Sequence, residues 1–176
     1  MSAIIETERL ILRELTVEDA RDMYNLNQDP EVVKYVKNSP FESIDDARVF
    51  LEGYDRYKKE GMGRWACIIK ENNEWIGWCG LITEESGDVD LGFRLYRKNW
   101  GQGFATEAAK ACLKYGFEEL GLKRIVASTM AENKASINVI EKLGMTFVKY
   151  FEIPAEDDDE EGHTGEGVLY ALEKED

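Results

Sequence analysis

Histidine occurs once in this chain, at His163, and cysteine only at Cys67, Cys79 and Cys112. Three thiols are an odd number, no two stand at Cys-x-x-Cys spacing, and all lie in apolar stretches. Neither a disulfide framework nor a zinc site is expected, and the thiols read as reduced core residues. His163 stands beside a run of acids and reads as a solvated loop residue rather than a base. No apolar run approaches the roughly 20 residues needed to cross a bilayer, so no membrane partner is expected. The opening Met1-Ser2-Ala3-Ile4-Ile5-Glu6 lacks the basic-then-apolar order of a secretory signal, which makes the cytoplasm the expected location. Positive charge is scarce too: 22 Lys and Arg stand against 36 Asp and Glu, a formal charge of −14. Phosphate backbones are bound by clustered Lys and Arg, so nucleic acid is not an expected partner. What is present, 43% apolar and 33% charged residues in 176, suits one soluble domain, 1–176, around one core.

Along the chain, 9–15 reads as a strand that meets a helix start at Thr16-Val17-Glu18-Asp19, with a carboxylate at the capping-box position. Asp29-Pro30 opens a short helix. Ser43 opens a longer one whose apolar positions Ala47, Phe50, Leu51, Tyr54 and Tyr57 recur at helical spacing as far as Gly61. Strands follow over 64–69, 75–83 and 89–96, parted by the turn-prone Asn72-Asn73 and Ser86-Gly87-Asp88, which favours an antiparallel meander. A long helix over 101–119, a β-branched strand over 124–130, a helix over 133–143 and two closing strands, 145–153 and 167–174, complete the order. Between the closing strands, at about 155–166, the acids Glu156-Asp157-Asp158-Asp159-Glu160-Glu161 predict a loop, because six like charges cannot pack together. An α/β sheet is implied, mostly antiparallel, with one parallel pair where the long helix crosses over.

The chemistry concentrates in Arg97-Lys98-Asn99-Trp100-Gly101-Gln102-Gly103-Phe104-Ala105-Thr106-Glu107-Ala108. Two glycines one residue apart at a helix start let the backbone come close to a bulky anion. The first-turn amides lack intrahelical acceptors and can donate to phosphate oxygens, aided by the positive end of the helix dipole. A Walker loop is excluded because no Gly-Lys-Ser/Thr follows, and the dinucleotide pattern fails where Thr106 replaces its third glycine. Another pyrophosphate-bearing ligand remains.

These residues resemble the GNAT superfamily of acyl-CoA N-acyltransferases, and within it the ribosomal-protein N-terminal acetyltransferases and their relatives. Glu6-Thr7-Glu8-Arg9-Leu10-Ile11-Leu12-Arg13 looks like that branch's opening strand and Asp29-Pro30-Glu31-Val32 like its following helix. The cofactor loop resembles 100–108, and Asn133-Lys134-Ala135-Ser136 with Glu141-Lys142-Leu143-Gly144 resembles its second motif. The resemblance implies a seven-stranded, mostly antiparallel sheet splayed between strands four and five and flanked by helices. It implies acetyl-CoA as co-substrate without a metal, direct transfer to an amine, and allows a homodimer. Carried onto this sequence, the diphosphate falls to amides of Gln102, Gly103, Ala105 and Thr106, within a stretch that also includes Lys98, Trp100, Gly101 and Phe104. The pantetheine arm falls to main chain of Phe93 and Leu95, and Asn133 either bonds that arm or caps its helix. Ile140 stands where many members carry a tyrosine acid, which leaves Ser136 as the nearest polar candidate, with a hydrogen bond inside its helix turn as the plainer role.

An amine attacks a thioester only as the free base. About one lysine-like amine in a thousand is free at pH 7, against about one α-amine in ten. For the base, Asp90 occupies the position of the branch's usual Glu, with a solvent-facing role as the alternative; Glu84 and Glu85 are rivals that close the preceding strand. An oxyanion donor is expected from the main chain near Phe93 or Arg94. Trp65, Trp75, Trp78 and Trp100 include candidates for a pocket lining, with core packing the commoner role. The expected acceptor is a protein or peptide N-terminal α-amine; the alternatives are a polyamine or other small amine, and an acetyl-CoA sensor without turnover. The acidic run would steer a cationic acceptor.

Overall fold

Strands that alternate between two apolar faces need cover on both sides, and β3 (Arg64–Ile69) shows how this chain supplies it. Trp65 and Cys67 enter one core, while Ala66 and Ile68 enter a second on the opposite face. The structure is a computed structural model that describes residues 3–36, 41–154 and 165–175. The acidic run 156–161 and His163 lie outside the described residues.

Before β3 come β1 (Ile5–Glu6), β2 (Leu10–Glu14), α1 (Ala20–Leu26), α2 (Pro30–Val33), α3 (Ile44–Glu52) and α4 (Arg56–Glu60). After it come β4 (Glu74–Thr83), β5 (Val89–Leu95), α5 (Phe104–Glu118), β6 (Arg124–Met130), α6 (Lys134–Lys142), β7 (Thr146–Ile153) and β8 (Gly165–Glu173). The sheet runs β1-β2-β3-β4-β5-β6-β8-β7, antiparallel at every step except β5–β6. Helix α5 covers the face of Leu81, Leu91 and Ile125; α1 and α3 cover the face of Ile68 and Trp75.

Eight strands form where seven are expected, because the chain folds back at Thr7, whose amide donates to Leu10 O at 3.0 Å, and a two-residue strand pairs with β2. The helix expected over 43–61 is two helices. Gly53 ends α3, and Tyr54 and Tyr57, which continue its apolar period, turn to the main chain of Arg64: the Tyr54 hydroxyl accepts from the Arg64 amide at 2.8 Å, and the Tyr57 hydroxyl donates to the Arg64 carbonyl. Helix α5 starts at Phe104, not at Gly101, because Gly101 (φ +69°) and Gly103 (φ +83°) turn the chain through left-handed backbone first. Gly165 and Glu166, expected in a loop, open β8, where they pair with Ile153 and Glu152.

The sheet opens between β5 and β6, where one register pair, Asp90 with Val126, joins them among the described residues. Beyond it Gly92, Phe93 and Arg94 are half-exposed although β5 is a central strand. Cys67, Cys79 and Cys112 are free, buried thiols.

Candidate active site

Hydrogen-bond alternation decides which main-chain groups of β5 face the opening. Tyr96 donates to Ile76 O and Glu84 to Asp88 O, so the even-numbered residues of β5 bond to β4 and the odd ones point away. Phe93 and Leu95 therefore present their main chain to the gap, whereas the Arg94 amide belongs to the β4 ladder. Of the Phe93 and Arg94 amides, only that of Phe93 faces the gap. The Leu95 carbonyl is taken by the indole N–H of Trp100 at 2.9 Å, which ties the loop to the strand end.

At the start of α5 the Glu107 amide is the first with an intrahelical acceptor, Gly103 O at 3.0 Å. The amides of Gly103, Phe104, Ala105 and Thr106 precede it and find no acceptor among the described residues. Arg9 braces this turn from the bend just before β2: its guanidinium donates to Gln102 O at 2.9 Å and to Glu107 Oε2 at 2.7 Å, and lies 4.2 Å from the Phe104 ring centre. Glu107 Oε1 also accepts from the Thr7 hydroxyl at 2.6 Å and from the Arg9 amide at 2.8 Å. A side chain on Gly103 would place its Cβ 3.3 Å from the Arg9 guanidinium. Glycine backbone, unpaired amides and a helix start together fit a diphosphate. The basic residues before the turn are engaged elsewhere, Arg97 with Asp29 and Lys98 with Glu74.

Asp90 does not face solvent. It is buried; its carboxylate meets Arg64 Nη2 at 3.2 Å and accepts from the Ser128 amide of β6. Burial raises it to about 6, against the lowering pull of Arg64. Glu84 and Glu85 lie exposed in the turn beyond β4, and Glu84 adds to the rise at Asp90 by repulsion. Asn133 Oδ1 accepts from the Ser136 amide at 3.2 Å, so the capping role is present, and Asn133 Nδ2 donates to the Thr129 hydroxyl. The Ser136 hydroxyl makes no hydrogen bond among the described residues, and none of the described hydrogen bonds joins Ser136 to Asp90. Ile140 is buried in the core.

The sequence reading named Trp78 and Arg94 in other roles and missed Arg64 and Asn27, which join them in one cluster with Asp90. Trp78 is half-exposed at the middle of β4, with the Arg64 guanidinium 4.9 Å and the Arg94 guanidinium 5.3 Å from its ring centre. Arg94 donates to Asn27 Oδ1 at the end of α1. Burial, and then Arg64, lower Arg94 to about 10. Only the cross-strand register brings these positions together, so no local motif could have signalled them.

The acetyltransferase (GNAT) domain family matches residues 9–146. The uncharacterized N-acetyltransferase p20 of Bacillus licheniformis is 40% identical over 140 residues, 78% of this chain and 79% of that protein. Spermidine N(1)-acetyltransferase of Escherichia coli is 27% identical over 139 residues, 77% of this chain and 72% of that one. The crystal structure of a GNAT-family acetyltransferase from Bacillus anthracis superposes with a TM-score of 0.80 at 28% identity, covering 96% of this chain and 97% of that one. With the splayed sheet and the glycine turn already described, these likenesses establish that the chain belongs to the GNAT acetyltransferase family and is an acetyl-CoA-dependent N-acetyltransferase.

Proposed function

We propose that the acceptor is a primary α-amine of the protein or peptide N-terminal type, as in the ribosomal-protein N-terminal acetyltransferases, and that it attacks directly in a ternary complex. The observation that carries this reading is the buried Asp90 at the head of the gap, raised to about 6. A base of that strength accepts protons near neutral pH and suits an ammonium near 8, whereas a lysine-like amine near 10.4 needs far more assistance. Acetyl-CoA supplies a thioester whose carbonyl carbon gains the C–N bond as the C–S bond breaks and the electron pair leaves with sulfur.

The chain's own residues do the rest. Amides of Gln102, Gly103, Ala105 and Thr106 hold the diphosphate, and the outward main chain of Phe93 and Leu95 aligns the pantetheine arm. The Phe93 amide faces the developing oxyanion. Asp90 takes the proton that the attacking nitrogen sheds, directly or through one water. A thiol near 8.5 leaves without full protonation, so the chain needs no phenol where Ile140 stands. Positioning two reactants in one gap supplies much of the rate.

Thiol release from acetyl-CoA, measured against peptides with free α-amines, peptides with only lysine amines, and polyamines, tests the proposal. Release fastest with α-amines supports it. Tight acetyl-CoA binding with no release for any amine would instead make the chain a sensor.

A further inference from the structure

We infer that the acceptor carries an anionic group, a carboxylate or a phosphate, beside its amine, and that Arg94 selects for it on the face of Trp78. The inference rests on the direct transfer proposed above; in a peptide N-terminus, whose α-carboxyl is an amide, the anionic group is an acidic or phosphorylated side chain. Charge accounting at the opening of the sheet carries it. Two guanidinium groups lie over one indole, and the described residues give them a single carboxylate, Asp90, which Arg64 holds. Arg64 spends another donor on the Gly80 carbonyl at 2.9 Å. Arg94 has only the neutral oxygen of Asn27, whose own amide is fixed by a 2.7 Å bond to Met23 O. A guanidinium has five N–H donors and keeps its charge at any physiological pH, so Arg94 brings a surplus positive charge and spare donors to a half-buried site. In a chain of net charge −14 this surplus is local and specific. A planar carboxylate or phosphate oxygen pair matches the guanidinium fork, and the Trp78 ring beneath fixes the fork's plane.

Position supports the same reading. Asp90, Gly92 and Arg94 lie on one face of β5, with about 13 Å between the outer two α-carbons at about 3.3 Å per residue. Gly92 leaves its place over that span to the Arg64 guanidinium; a Cβ there would come within 2.4 Å of Arg64 Nη1. The Arg64 guanidinium thus lies between Asp90 and Arg94, and an acceptor with its amine at Asp90 meets the two guanidinium groups together. The two arginines that welcome an anion also repel a polycation, so spermidine is disfavoured.

The test measures kcat/KM for thiol release with matched acceptors: an amino acid, its carboxamide, O-phosphoethanolamine and spermidine. Wild type is expected to prefer the amino acid or the phosphate-bearing amine over the carboxamide at least tenfold, and the two anionic arms separate carboxylate from phosphate. In Arg94→Met that ratio collapses toward one, and Arg94→Lys restores part of it. Asn27→Asp, which gives Arg94 a counter-charge of its own, should also shrink the ratio, and it serves if Arg94→Met does not fold. The inference is overturned if wild type uses the carboxamide or spermidine as well as the anions. It is also overturned if Arg94→Met lowers all acceptors in proportion. Release with the carboxamide alone sinks this inference and leaves α-amine transfer standing; no release with any acceptor removes both.

Discussion

A carboxylate inside a central strand is costly unless its charge is answered, and Asp90 has Arg64 on its own sheet half and the Ser128 amide across the opening. Its pKa near 6 lies above the unfolded value near 3.9, so the folded state holds the extra proton between these values. This group's contribution to stability is therefore fully present below about pH 4 and is lost as pH rises through 6, by up to about 3 kcal/mol. Urea unfolding of wild type and Asp90→Asn at pH 4.5 and 7 reads the effect: the wild type's standing relative to the variant should worsen at the higher pH. In catalysis the sign reverses, since only the ionised form accepts a proton. The kcat of wild type should fall on acidification through about 6, and Asp90→Asn should lose that limb with kcat reduced by about 10²- to 10⁴-fold. At Gly103, Val would combine a β-branched side chain with φ +83° and a contact on Arg9. Loss of CoA binding with the fold kept is expected. The check is the absent thermal stabilisation, which for a ligand at a hundred times its dissociation constant amounts to about 2.7 kcal/mol. The turn at Gly103 was legible because glycine spacing is local. Asp90 was legible as a residue type but not as a buried one, since exposure depends on Arg64, 26 residues away in sequence.

Between elements, the link that matters most runs from the bend just before β2 to the first turn of α5. Arg9 there holds both a loop carbonyl and Glu107, across 93 and 98 residues of sequence. Charge-assisted bonds of this kind, at a half-exposed side chain, are worth about 1–2 kcal/mol together. Arg9→Ala should therefore weaken CoA binding about tenfold, as titration calorimetry would show. The cap of α6 makes a contrasting case. Asn133→Ala removes a bond worth about 1 kcal/mol and should lower the melting temperature by about 2–4 °C, while Asn133→Asp keeps the cap. Most strands were legible to within a residue or two because apolar alternation and turn residues mark them. The break at Gly53 was not, because Tyr54 and Tyr57 keep a helical period while serving the main chain of Arg64. The two-residue β1 was equally hidden, being too short to carry a pattern.

For the molecule as a whole, −14 charges repel a polyanion such as CoA at long range, while the glycine turn attracts it at short range. The association rate of CoA should consequently rise between about 10 and 150 mM salt as the Debye length contracts, the reverse of a nucleic-acid binder. Stopped-flow mixing at several salt concentrations checks this. The order of elements let the sequence foresee a mostly antiparallel sheet with one crossover, yet which β5 groups face the opening follows only from the pairing with β4. That pairing has a dynamic consequence. Past the single rung at Asp90, every second peptide N–H of β5 is locked by β4, and those of Phe93 and Leu95 have no strand acceptor. Deuterium should enter this central strand in a two-residue rhythm, fast at Phe93 and Leu95 and slow at Gly92 and Arg94. A pantetheine arm lying alongside would silence the fast beats alone, leaving a footprint readable amide by amide.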